Sequence, residues 1–179
     1  MRTPIRKPYE YDRYDVERWF NSVRLHRPVF TGGVVNETLG YGTIIVGNEV
    51  KIISPEQRIK GMRQTNKHFF NELHRQVYRK SKKKIPRLVV IESGNGRFHT
   101  HHRIETPEHL STEMFHNLIR HSWMRTKGGV EIHIQNQYDG IGLDEYTSKE
   151  QSHREVDFAE VDTQNSFHPD GRIRLLSQN

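Results

Sequence analysis

Asn95-Gly96 lies between two runs that read as strands, RLVVIES before it and RFHTHHRIET after it. Asn-Gly is the strongest short signal for a two-residue hairpin turn. Such a turn sets the register: Gly94 opposes Arg97, Ser93 opposes Phe98, Glu92 opposes His99 and Val90 opposes His101. Side chains alternate along a strand, so His99 and His101 share a face, and Glu92 projects on that face beside His99. His102 turns to the other face with Thr100 and Ile104, where it is expected as a hydrogen-bonded, half-buried histidine and not as a ligand. Two imidazoles and a carboxylate suit a divalent ion such as Mg²⁺, Mn²⁺ or Zn²⁺, with water or a substrate oxygen completing the shell. In a chain with twelve histidines a bare His-x-His carries little. The opposed Glu92 makes Glu92, His99 and His101 a candidate metal site.

The elements around this hairpin follow from local patterns. RPVFTGGVVNE reads as a strand, and GYGTIIVGNEVKIIS as a second hairpin turning at Gly47-Asn48. Ser54, Pro55 and Gln57 supply an N-cap, a first-turn proline and a capping-box partner. Ile59, Met62, Phe69, Leu73 and Val77 then recur at helical spacing until RKSKKKIP, where Pro86 is expected to stop the helix. STEMFHNLIRHSWM is a second amphipathic helix, with Met114, Phe115, Leu118 and Trp123 expected inward and Gly128-Gly129 ending it. In VEIHIQNQY, Val130, Ile132 and Ile134 alternate with Glu131, His133 and Gln135, and a short helix is expected near Asp144. Such an order predicts an α+β fold: one antiparallel sheet of about five strands, both helices on one face and the other face free for chemistry. Residues 1–27 read as an N-terminal arm with a helical piece around Val16 to Val23, 28–150 as the folded domain, and 151–179 as an acidic, polar tail.

Charge narrows the partner. The net charge is +6, and between Pro55 and Arg87 there are eleven Lys/Arg against two Asp/Glu, whereas from Tyr138 onward nine Asp/Glu face four Lys/Arg. A basic block favours a polyanion through phosphate neutralisation and counterion release, and Arg79, Lys80, Lys82, Lys83 and Lys84 are the candidate DNA-backbone contacts. Cysteine is absent, which removes disulfides and thiolate metal sites. No run has the length and apolarity of a membrane span, so a cytoplasmic protein with no membrane partner is expected.

Downstream, LDEYTSKE places Tyr146 and Lys149 three residues apart, on one face if the segment is helical. A tyrosine hydroxyl can attack a phosphodiester where cations stabilise the developing oxyanions, and a neighbouring lysine can neutralise phosphate charge. GRFHTHHRIETP followed by EYTSKE resembles the His-hydrophobe-His and tyrosine motifs of the HUH endonucleases, the group that includes single-tyrosine rolling-circle replication initiators of plasmids and small DNA viruses. The resemblance runs from about Arg27 to Glu150. It implies a five-stranded antiparallel sheet related to the RNA-recognition-motif fold, and cleavage of one DNA strand with a covalent 5′-phosphotyrosine and a free 3′-hydroxyl. By it, His99 and His101 match the metal histidines, Glu92 the acidic ligand, Tyr146 the nucleophile and Lys149 the lysine that follows it, with Mg²⁺ or Mn²⁺ as the metal. Single-stranded or hairpin DNA is the implied partner, in the cytoplasm of the host cell if the protein is viral.

Two departures stand out. Thr100 occupies the position where the family pattern has a bulky apolar residue, and PVFTGGVVNE meets the family's first motif only loosely. No Gly-rich Lys-Ser/Thr nucleotide-binding loop follows, so unwinding is assigned to a separate helicase. A non-catalytic nucleic-acid-binding module of the same layout, a hydrolase using activated water, and a transposase or relaxase sharing the tyrosine chemistry are the competing expectations.

Overall fold

A computed structural model describes residues 25–94, 96–136 and 156–169, and its first strand, β1 (Pro28–Val35), falls where the β-branched run predicts it. A short helix α1 (Glu37–Tyr41) follows, then a hairpin of β2 (Thr43–Val46) and β3 (Glu49–Ile52), and the long helix α2 (Pro55–Tyr78). Then come β4 (Arg87–Gly94), β5 (Arg97–Glu105), α3 (Thr112–Met124), β6 (Gly129–Asn136) and β7 (Val156–Val161). Five strands form one antiparallel sheet in the order β6-β1-β5-β4-β7, while among the described residues β2 and β3 pair only with each other. Its first four strands have the ferredoxin-like arrangement, and the class is α+β as expected.

The capping signals at Ser54 operate as the sequence indicates. Ser54 Oγ accepts from the Gln57 N–H and the Gln57 side chain accepts from the Ser54 N–H, both at 3.3 Å, with Pro55 in the first turn. The far end differs: α2 stops at Tyr78, with Arg79 at φ 52°, well before Pro86. Continuing the helix would stack the cations of 79–84 on one another at short spacing. Extended, the chain instead seats Ile85 in the core, its N–H donating to His74 Nε2 at 3.1 Å.

The core lies between the sheet and the two long helices. Met62, Phe69, Phe70 and Leu73 of α2 and Phe115, Ile119 and Trp123 of α3 close on Val29, Val89, Ile91 and Ile104 of the sheet. Gly33 of β1 allows this approach, since a Cβ there would stand 2.7 Å from the Trp123 ring. On α3 the buried stripe is Phe115, Ile119, Ser122 and Trp123, with Leu118 partly buried; Met114, expected inward, is 57% exposed because it sits a third of a turn off that stripe. Ile132 and Ile134 of β6 pack on the core, but Val130 is exposed, because the pairing of β1 with β6 slips between Val34 and Val35.

Both expected flanking segments contribute to the domain. The N–H groups of His26 and Arg27 donate to the Glu105 carboxylate at 2.7 Å each, so the end of the arm is fixed to β5. The stretch taken for a polar tail supplies β7, the edge strand beside β4. Its Glu160 is buried in an ion pair with Arg63 of α2, which explains why an acidic composition concealed a strand. Val16 to Val23 and the helix expected near Asp144 lie outside the described residues. Among the described residues no helix is long and apolar enough to cross a membrane.

Candidate metal centre

The β4–β5 register is the one the Asn-Gly turn predicts: Gly94 pairs with Arg97, Glu92 with His99 and Val90 with His101. Gly96 takes φ 72°, a conformation glycine adopts without strain. The turn is held from below by Arg58 of α2. Its guanidinium donates to the Gly96 carbonyl at 2.9 Å, to the Gly40 carbonyl and, through Nε, to the Leu39 carbonyl at 3.1 Å, while lying 4.1 Å over the Phe98 ring. Arg58 therefore belongs to the interior, as does Arg87, whose Nε donates to the Asn165 carbonyl at 2.6 Å. Of the eleven cations in the basic block, Arg58 and Arg87 are thus buried, and Arg63 is paired with the buried Glu160.

On the face turned away from the helices, Glu92, His99 and His101 converge. Each offers one donor atom, and all three atoms lie within 4.8 Å of one another. His101 Nε2 stands 3.2 Å and His99 Nε2 3.5 Å from Glu92 Oε2, and the two rings meet edge-on. Donors bound to one divalent ion at about 2.0–2.2 Å stand roughly 3–3.5 Å apart, and the two separations from Glu92 are of that size. Glu92 is buried while both imidazoles are partly exposed, which leaves an approach from solvent. Burial alone would raise the Glu92 carboxyl; the charge of His101 and hydrogen bonds from His101 and His99 outweigh it and hold the group well below the usual carboxylate range. The group can bind a metal ion.

The other face of β5 is polar at its centre. His102 is 1% exposed, not half-buried as expected, with Nδ1 2.6 Å from Thr31 Oγ1 and Nε2 3.0 Å from Asn66 Oδ1. Burial, then the charges of His101 and Arg87, lower its pKa to about 3, so it is neutral in the fold. Thr100 Oγ1 stands 3.2 Å from both Asn66 Oδ1 and the Val90 carbonyl. Sequence patterns passed over Asn66, although a polar residue on the buried stripe of an amphipathic helix was a usable signal.

The remaining predicted residues do not all gather here. Arg79, Lys80, Lys82, Lys83 and Lys84 occupy an exposed loop that enters β4 at Arg87, roughly 17 Å along the strand from Glu92. Tyr146 and Lys149 lie outside the described residues. The pairings that bracket them are described: Asn136 ends β6 at one edge of the sheet, and Val156 begins β7 at the other. His133 shares the face of the metal group, two strands from His101 across Gly32, with its Nε2 3.7 Å from Glu131 Oε1. That face is not free throughout, because Leu88, Val90 and Arg103 on it are buried. No family model, curated protein or solved structure matches the chain, so the chemistry of the site rests on its own geometry.

Proposed function

We propose that this protein is a metal-dependent DNA-nicking enzyme of the HUH type, cutting and rejoining a single strand through Tyr146. The convergence of Glu92, His99 and His101 on the face of a ferredoxin-like sheet opposite its helices carries this reading. Glu92, His99 and His101 would hold a divalent ion, Mg²⁺ or Mn²⁺, which would supply Lewis-acid chemistry at the scissile phosphate. Glu92, already ionised, and the two imidazoles, fixed by their strand, need little rearrangement to serve as its ligands.

In the proposed reaction the Tyr146 oxygen forms a bond to phosphorus as the bond from phosphorus to the 3′-oxygen breaks. The tyrosine proton passes to solvent and the departing 3′-oxygen takes up a proton. The product is a 5′-phosphotyrosine and a free 3′-hydroxyl, and attack by a 3′-hydroxyl on that linkage rejoins the strand. Lys149 offsets charge on the phosphate, while the 79–84 loop holds the backbone further along. Replication initiation, with a separate helicase opening the duplex, is the process proposed, and transposases and relaxases share the step.

The deciding experiment incubates labelled single-stranded or hairpin DNA carrying a cleavable site with the protein and Mn²⁺. A covalent protein–DNA adduct, lost in Tyr146→Phe and in His101→Ala, is the expected result. Cleavage with multiple turnover that survives Tyr146→Phe would replace the tyrosine with activated water. Binding without any cleavage would leave a nucleic-acid-binding module.

A further inference from the structure

Phe98 and Ile104 turn one face of β5 into the core, yet the inward residues between them, Thr100 and His102, are polar. Residues 99–102 read His-Thr-His-His, so over this stretch the inward side chains need polar partners in the interior. Hydrophobic burial of Phe98 and Ile104 sets the face, and polar contacts must hold Thr100 and His102 on it. A partner for both comes from α2. Asn66 Nδ2 donates to Asp162 Oδ2 at 3.1 Å, an oxygen that also accepts from Asn165 Nδ2 at 2.6 Å. With its amino group directed there, Asn66 turns its oxygen toward β5. That oxygen has two lone pairs, and two groups face it: His102 Nε2 at 3.0 Å and the Thr100 hydroxyl at 3.2 Å, whose single proton it shares with the Val90 carbonyl, also at 3.2 Å. His102 therefore carries its proton on Nε2, and its Nδ1 accepts from the Thr31 hydroxyl. Asn66, Thr100 and Asp162 are 0% exposed, so each bond is made in the interior, where a lost partner is costly.

We infer that Asn66 is the positioning residue of the metal centre, its carboxamide oxygen holding Thr100 and His102 on the core side of β5 so that His99 and His101 are presented beside Glu92. This rests on the reading of those three residues as metal ligands. It also gives Thr100 a task that the bulky apolar residue of the family pattern would not perform. Asp162, just past β7, directs the Asn66 amide, and β7 itself flanks Glu92 through Ala159. One segment thus serves both sides of the site.

The test titrates Co²⁺ into the full chain and its variants, reading affinity and the visible ligand-field spectrum under conditions where circular dichroism shows each variant folded. Thr100→Val keeps the side-chain volume and removes the hydroxyl; Thr100→Ser keeps the hydroxyl and removes a methyl. Positioning predicts about tenfold weaker Co²⁺ binding and an altered spectrum in Thr100→Val and Asn66→Ala. It predicts near-parent binding in Thr100→Ser, even though that variant is the less well packed. Parent affinity and spectrum in Thr100→Val overturn the inference, and the Thr100 pair decides it if Asn66→Ala does not fold. Absence of Co²⁺ binding in the parent, or binding unchanged by Glu92→Ala, instead removes the metal centre itself and the inference with it. Independently, ¹⁵N-detected imidazole spectra should show His102 carrying a proton on Nε2; a neutral ring protonated only at Nδ1 overturns the assignment.

Discussion

The β2–β3 and β4–β5 hairpins both turn on a Gly/Asn pair, Gly47-Asn48 in one and Asn95-Gly96 in the other, and both keep a two-residue register. Each turn has a glycine at positive φ, Gly47 at 64° and Gly96 at 72°. Their surroundings differ completely. Every residue of β2 and β3 is exposed, Ile45 at 76% and Ile52 at 86% among them, whereas Leu88, Val89 and Ile91 of β4 are 0% exposed. β4 and β5 have strands on both edges and helices beneath them; among the described residues β2 and β3 pair only with each other. A hairpin becomes a precise scaffold for ligands when the layers around it fix its pleat. Local turn chemistry alone produces the shape without the rigidity.

The comparison can be broken most sharply with one residue type. Ile91→Ala in β4 should cost about 2–5 kcal/mol in urea unfolding, because it leaves a cavity under the sheet. Similar losses for Ile91→Ala and for its β3 counterpart would erase the distinction. His101→Ala should weaken Mn²⁺ binding by at least about 100-fold, measured by calorimetry, with little loss of stability, since the imidazole is partly exposed. Gly33→Ala should cost about 1–3 kcal/mol, as its methyl group meets the Trp123 ring. That measurement tests whether close helix–sheet packing is what stiffens β5.

Acid sensitivity should also separate the two hairpins, because the β2–β3 hairpin has no histidine. His102 is neutral in the fold, with its pKa lowered to about 3, and takes up a proton on unfolding below its ordinary value of 6.5. Its contribution is therefore present above pH 6.5 and lost as the pH falls toward 3, with a slope of up to about 1.4 kcal/mol per pH unit. His74, lowered to about 4 by burial and by the charges of Arg87 and Lys84, acts in the same direction. Glu92 adds a further loss below its ordinary pKa of 4.5. Urea midpoints between pH 7 and pH 4 should fall less steeply in His102→Gln than in the parent; parallel profiles would remove His102 from the account. The smallest effect belongs to the exposed hairpin: Ile52→Ala should shift stability by no more than about 0.5 kcal/mol in the same unfolding assay.

Much of this was legible from short-range pattern. The Asn-Gly turn placed Glu92 opposite His99, and Ser54 with Gln57 started α2, because both signals depend on bonds between residues a few positions apart. The ends of elements were less legible: α2 stops at Tyr78 because Ile85 has a core site to fill, which lies outside the helix itself. β7 was hidden because its Glu160 reads as surface until Arg63 is placed beside it. The basic block read as one surface, yet Arg58 and Arg87 turn inward to satisfy carbonyl groups that only the folded chain brings near them.

By itself the sequence determined that two imidazoles and a carboxylate would meet on one face of a hairpin, since strand alternation and a two-residue turn leave no freedom in that register. The tertiary structure decided which of the two hairpins is buried, by closing strands and helices over β4 and β5, whereas among the described residues β2 and β3 pair only with each other. It also supplied the partners of the inward-facing Thr100 and His102, Asn66 and behind it Asp162, which lie 34 and 62 residues from Thr100 in the chain. Contacts over such separations are selected by how the layers pack, and no local pattern encodes them.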